Sequence, residues 1–210
     1  MHRPRCPSIN FRTTENLSIE RSRNAIMKSY FYGMNRKLKL WELERPDEEA
    51  FKAQEKFPVT VVLDSLRSLT NVGSFFRTCD AFNVEKLYLC GITASPPHRE
   101  IQKTALGATE SMEWEHQEDV MSLLASLQKE GKKICSIEQT EETTLLQEVA
   151  NFPQNEHHVL VFGNEVNGVD QRIVDMSDYI IEVPQFGTKH SLNVSVCAGV
   201  VLWEFAKRQL

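Results

Sequence analysis

The chain has 210 residues, 41% hydrophobic and 25% charged, the usage of an ordinary globular protein; this excludes a disordered or fibrous chain and leaves length for one sizeable core. Its 24 Lys+Arg against 29 Asp+Glu give a formal charge of −5, and no apolar run approaches the roughly eighteen residues a membrane span needs. Five cysteines (Cys6, Cys79, Cys90, Cys135, Cys197), odd in number and without metal-ligand spacing, argue against a disulfide framework or a metal site and for a reducing, cytoplasmic setting.

Met1–Phe11 carries basic residues with no apolar run behind them, unlike a secretory signal. The first 25 or so residues are polar and aperiodic, as expected of a mobile extension. A helix is expected over Ile26–Leu43, then a break at Arg45-Pro46-Asp47 and a short helix Glu48–Lys56. Residues 1–45 hold 10 Lys+Arg and 4 Asp+Glu, a net +6 that leaves −11 on the rest. A basic arm on an acidic body is found in nucleic-acid binders and equally in solvated tails. Residues 1–57 are therefore expected to form a basic, partly flexible extension with short helices, and 58–210 the main domain.

From there strands and helices alternate. Val59–Leu63 is a continuous apolar run, the form of a strand buried on both faces. Asn71–Phe82 places Phe75, Phe76, Cys79 and Phe82 at helical spacing. Strands are expected at Lys86–Cys90, Ser111–Glu115, Lys133–Ile137, Val159–Phe162 and Tyr179–Val183. Helices are expected at His98–Leu106, at Val120–Lys129 with Gly131 behind it, and at Leu192–Ala206. Such alternation predicts an α/β fold, a mostly parallel sheet flanked by helices. Ligands bind such sheets at the C-terminal strand ends, so the loops there are where chemistry is expected.

Three of those loops stand out. Asn71-Val72-Gly73-Ser74-Phe75-Phe76-Arg77 follows the first strand; Asn71 could cap the helix, and Arg77 is either an anion-pairing arginine or one that snorkels to the surface. Phe162-Gly163-Asn164-Glu165-Val166-Asn167-Gly168 has glycines that let backbone approach a ligand, but neither a dinucleotide fingerprint nor a phosphate-binding loop. Val183-Pro184-Gln185-Phe186-Gly187-Thr188-Lys189-His190-Ser191-Leu192-Asn193-Val194-Ser195 joins the last strand to the last helix. Ser191 could cap that helix, and Asn193 and Ser195 are polar on an apolar helix and need partners. His190, His157 and His158 read as bystanders or structural residues.

Taken together, N-x-G-x-x-x-R, F-G-N-E-x-x-G and V-P-x-x-G-x-x-x-S-L-N-V-S resemble the SPOUT methyltransferases, and within them the TrmH (SpoU) group, over roughly Val59–Arg208. The resemblance implies a C-terminal deep trefoil knot, S-adenosyl-L-methionine as cofactor, no metal, and methyl transfer to a ribose 2′-hydroxyl of tRNA or rRNA. It implies cofactor contacts at Gly163, Val183 and Leu192, with Ile137, Glu138, Asn164, Gly168, Gln185 and Gly187 around them. Arg77 corresponds to the catalytic arginine, with Asn71, Glu165, Ser191 and Asn193 orienting the reactants. Asn83 stands where the pattern more often has glycine. The resemblance also implies a homodimer, which the nearly all-apolar last helix fits. Arg3, Arg5, Arg12, Arg21, Arg23, Lys28 and the Arg36-Lys37-Leu38-Lys39 cluster are expected to grip RNA phosphates. A non-catalytic knotted RNA-binding or ribosome-assembly module and a base-directed methyltransferase are the competing readings.

Overall fold

A computed structural model of the chain describes residues 36–209. The expected mobile extension, residues 26–35 of the expected first helix, and Cys6 lie outside the described residues. Residues 36–45 and 46–209 form separate units. In the first, the Ile26–Leu43 helix does not extend through 36–43. Only Leu40–Glu42 turns, as a 3-10 helix, because the Glu42 carboxylate takes both Arg36 guanidinium nitrogens (2.9 and 2.7 Å) and the Lys39 N–H (2.8 Å). Arg36, expected to grip phosphate, is thus already paired.

The second unit is built on seven strands: β1 Phe57–Asp64, β2 Val84–Cys90, β3 Trp114–Gln117, β4 Lys133–Ile137, β5 Thr144–Leu145, β6 His158–Phe162 and β7 Tyr179–Glu182. They form one sheet in the order β3-β2-β1-β6-β4-β7-β5, every neighbouring pair parallel. All six expected strands are present. The third starts later than expected because Ala108–Ser111 coils into a short helix. Ser111 Oγ donates there to Asp80 at 2.5 Å, and Trp114 is the first strand residue, its ring edge-to-face with Phe76 at 6.0 Å.

Because side chains alternate along a strand, each central strand feeds two cores. Val61 and Leu63 of β1, Leu160 and Phe162 of β6, Cys135 of β4 and Ile181 of β7 point to one face. Covering it are α1 (Glu48–Ala53), α2 (Leu69–Ala81), α3 (Arg99–Ala105), α4 (Ala108–Ser111) and α7 (Val194–Ala206). Val62, Val159, Val161 and Ile134 point to the other face, under α5 (Val120–Lys129) and α6 (Gln171–Met176). Phe75 and Phe162, both fully buried, meet edge-to-face at 5.1 Å. Each such ring contributes roughly 2–3 kcal/mol by leaving water.

Two helices of the first face set up the site. Asn193 at the start of α7 bonds Asn71 near the start of α2 (3.2 Å), and Trp203 near its end lies 6.4 Å from Phe82 at the end of α2. The helices therefore run parallel, side by side. Their outward residues, Thr70, Arg77 and Ala81 on α2 and Val196, Val200 and Trp203 on α7, are exposed. No helix among the described residues is long and apolar enough to cross a membrane.

Candidate active site

The C-terminal ends of β4, β6 and β7 open onto a cavity of about 730 Å³. Its floor is apolar (Ile137, Phe162, Val169, Val174, Ile181, Val183) and its walls are the loops after the three strands. The β6–α6 loop folds back on itself: Asn164 and Gly168 exchange backbone hydrogen bonds (3.0 and 2.9 Å). The fold-back brings Gly163 so close to the Gly168 carbonyl and the Val169 nitrogen that a Cβ there would overlap them. Gly168 lies at φ +68, where a side chain is strained, and its Cβ would overlap the Glu138 carboxylate. That carboxylate accepts the Val169 N–H (2.9 Å) and the Gln139 N–H (2.9 Å), tying the β4 loop to the β6 loop.

The three sequence motifs meet in one hydrogen-bonded junction at this rim. Glu165 accepts from the backbone N–H groups of Arg67 and Ser68 (3.1 Å each) and from the Asn71 amide (3.2 Å). Asn71 in turn accepts from the Asn193 amide (3.2 Å) and the Ser195 hydroxyl (3.5 Å). Burial pushes the Glu165 carboxyl up, but the N–H donors of Arg67, Glu165 and Ser68 and the Asn71 amide outweigh it and hold the pKa below the usual carboxylate range. Glu165 is therefore an anion at neutral pH. Asn164 braces the loop by donating to the Ser65 carbonyl (2.9 Å) and accepting from the Val166 N–H (2.8 Å).

Two caps differ from expectation. Ser68, not Asn71, caps α2 (Asn71 N–H to Ser68 Oγ, 3.3 Å), leaving the Asn71 side chain free for the junction. Asn193, not Ser191, caps α7, taking the N–H groups of Ser195 (3.0 Å) and Val196 (3.4 Å).

Ile137, Glu138, Gly163, Asn164, Gly168, Val183, Gln185 and Leu192 all line the cavity, as do Glu165, Ser191 and Asn193. Gly187 does not, and a Cβ there would meet nothing within 4 Å. Asn71 stands behind the rim, bonded to two residues that line it. Arg77 does not line the cavity; it is exposed on the outer side of α2, two turns from Asn71. Ser68, Ser195 and the cavity-lining Cys197 were outside the expected site. The Ser68 signal was legible as a capping residue directly before the apolar Leu69. Among the described residues no group of side chains could hold a metal ion.

The donor set suits a nucleoside bearing a positive charge. An apolar floor suits a base, Glu138 and Glu165 add acidic groups to the lining, and the glycines let backbone come close to a ligand. The volume also lies within the range of sites that hold such molecules.

Residues 58–203 match the family model described as SpoU rRNA Methylase family. The chain is 34% identical over 158 residues to a tRNA (guanosine(18)-2′-O)-methyltransferase of Aquifex aeolicus, covering 71% of this chain and 68% of that one. It is 28% identical over 171 residues to the mouse tRNA (guanosine(18)-2′-O)-methyltransferase TARBP1, covering 80% of this chain but spanning only 11% of that protein. Among solved structures, an A. aeolicus TrmH/SpoU tRNA modifying enzyme aligns at TM-score 0.67 and 26% identity, over 76% of this chain and 79% of that one. An AdoMet-bound rRNA methyltransferase from Sinorhizobium meliloti shares the fold at TM-score 0.68 and 20% identity, over 76% and 60%.

Proposed function

This chain belongs to the SpoU rRNA Methylase family, and from that premise we propose that it transfers a methyl group from S-adenosyl-L-methionine to a ribose 2′-hydroxyl of tRNA or rRNA. The observation that carries the reading is the junction Glu165–Asn71–Asn193–Ser195 on the rim of the cavity. Polar residues from three distant segments converge there on the rim of the cavity. When bound, the cofactor supplies an electrophilic methyl group on a sulfonium.

The protein's own contribution is position and charge. Ile137, Val183 and Leu192 would hold the cofactor, with Glu138, Gly163, Asn164, Gly168 and Gln185 around them; Gly187 stands outside this lining. Glu165, an anion on the rim, would offer the sulfonium a counter-charge. Asn71 and Asn193 lock that carboxylate and the start of α7 into one geometry, and Ser191 orients the ribose. Holding two reactants in line supplies much of the acceleration of a displacement. A guanidinium is effectively never deprotonated in proteins, so Arg77 acts on the alkoxide and a neighbouring phosphate by charge, and the proton leaves to phosphate or water.

Arg77 reaches a cavity in this reading through a second copy. The exposed stripe Val196, Val200 and Trp203 on α7 (55%, 42% and 52% exposed) lies beside the Arg77 face of α2. A homodimer closed on α7 would bury it and carry each arginine to the partner's site. The knot is supported by the path of the chain. β4 lies between β6 and β7, and the segment after β7 returns past the Gly163–Val169 loop to bond Asn71. Free thiols at Cys79, Cys90, Cys135 and Cys197 support a cytoplasmic setting.

The test is tritium transfer from labelled S-adenosylmethionine into unmodified tRNA and rRNA, followed by nucleoside analysis. Label in 2′-O-methylribonucleosides, lost in Arg77→Ala while cofactor affinity stays, is the expected result. Label on the bases, or none with any RNA, would overturn it. Light scattering at micromolar concentration should give the mass of a dimer.

A further inference from the structure

The two most exposed large apolar side chains of residues 46–209 are Phe186 (97% exposed) and Val166 (73%), and both stand in loops that build the cavity. Val166 lines it together with its neighbours Glu165 and Asn167. Phe186 lies between Gln185 and His190, which line it, while residues 186–189 do not. The arch 186–189 is therefore the outer lip of the cavity, and its aromatic ring is directed at solvent. That exposure leaves the ring no packing role within the described chain. The same segment carries Lys189 and His190 and no acid from Val183 to Asn193, and Lys189 is in none of the ion pairs among the described residues.

An exposed aromatic next to a lysine is the chemistry of single-stranded nucleic-acid binding: the ring stacks on a base and the cation meets the adjacent phosphate. Resting on the RNA methyltransferase reading above, we propose that Phe186 is a positioning residue, a stacking platform for an unpaired base of the RNA substrate at or beside the target nucleotide, with Lys189 on its phosphate. A nucleotide turned out of a stack toward the cavity loses its stacking neighbours. Phe186 replaces one of them at the lip, and Val166 offers the second apolar surface of the mouth. The alternative occupant, a second copy of this chain, lacks support at this point, because the apolar stripe suited to it lies on α7 and the lip is rimmed with polar and cationic groups.

The test uses the full chain saturated with S-adenosylhomocysteine, a short mixed-sequence single-stranded RNA, and the same strand made abasic. Wild type should bind the base-bearing strand about tenfold more tightly than the abasic one. Phe186→Ala should remove about that factor for the base-bearing strand, leave the abasic strand and the cofactor unchanged, and be rescued by Phe186→Trp. Lys189→Ala should weaken both strands alike and lower the salt dependence. Equal loss on both strands in Phe186→Ala, no loss, or a fall from dimer to monomer mass would overturn the proposal, the last making Phe186 a subunit contact. Wild type that binds neither strand would overturn the RNA reading as well.

Discussion

The three strands β4, β6 and β7 end in two unlike environments. At their C-terminal ends amides, hydroxyls and one carboxylate satisfy one another around an open cavity. At their N-terminal ends His158, Phe152, Tyr179 and Phe205 stack: Phe152 on Tyr179 at 4.1 Å, Phe152 on His158 at 5.6 Å, and His158 against Phe205 at 5.2 Å. Arg208 closes that end by donating to the carbonyls of Phe152 (2.7 Å) and Pro153 (2.9 Å). Helix α7 belongs to both, beginning at the cavity with Asn193 and ending in the aromatic stack with Phe205. One end binds and the other holds. Affinity and stability should therefore separate along a single helix.

The sharpest break of this comparison lies at the holding end. Phe205→Ala removes a ring that is 1% exposed and should cost about 3–5 kcal/mol, measured as a lower urea midpoint with unchanged slope. Cofactor affinity of the folded variant should stay within about twofold, since distant sites are nearly additive. A large loss of affinity would mean that the two ends are coupled.

Acid should act on the same end. Burial, then the nearby charges of Arg208 and His157, pushes the His158 pKa down to about 4. A histidine with a folded pKa below its unfolded value of about 6.5 takes its proton first in the unfolded chain. The stability it contributes is complete above pH 6.5 and is lost as pH falls toward 4, about 3 kcal/mol in all. Urea midpoints between those pH values should fall in wild type and fall less in His158→Phe. Parallel curves would move the acid sensitivity elsewhere.

The binding end should respond in the opposite sense. Asn71→Ala leaves Glu165 and Asn193 each without one partner, a stability cost of about 1–2 kcal/mol. Methyl transfer should fall by about a hundredfold, a size typical for loss of one preorganised polar group. A stability loss as large as that of Phe205→Ala would make Asn71 a fold residue and dissolve the contrast.

Much of the fold was legible because it rests on local periodicity. The apolar runs Val59–Leu63 and Val159–Phe162 are buried on both faces, and Val120–Lys129 kept both its bounds. What escaped was short or held from afar. β5 has two residues and pairs only with β7. Helix α6, of six residues, starts from the Asp170 cap and follows a loop with no periodicity. Most of the expected cavity residues lie in the second and third motifs, and Ile137 and Glu138 came only with the family resemblance; the bonds that join the motifs span 94 to 124 positions, which no local pattern carries. The outward position of Arg77 was within local reach: with Val72, Phe75, Phe76 and Cys79 buried on one face of the helix, its period turns Arg77 to the opposite side.

The smallest expected effect concerns Asn83, the turn residue after α2. Its backbone sits at φ +52, the left-handed region that only glycine and, to a lesser extent, Asn or Asp visit readily. The side chain there is engaged: it donates to the Glu55 carbonyl (2.8 Å) and accepts from Gln54 (2.9 Å) and Lys56 (3.0 Å), stitching the α1–β1 loop to the end of α2. Asn83→Gly gains backbone ease and loses these partly exposed bonds, so the net change should stay within about 1 kcal/mol. Asn83→Ala loses the same bonds and keeps the strain, and should be about 1–2 kcal/mol worse than the glycine variant. Equal midpoints for the two variants would mean that the turn relaxes out of the left-handed region, and asparagine would then be there for its side chain alone. Neither variant should alter cofactor affinity, because the turn lies at the far end of α2 from Asn71.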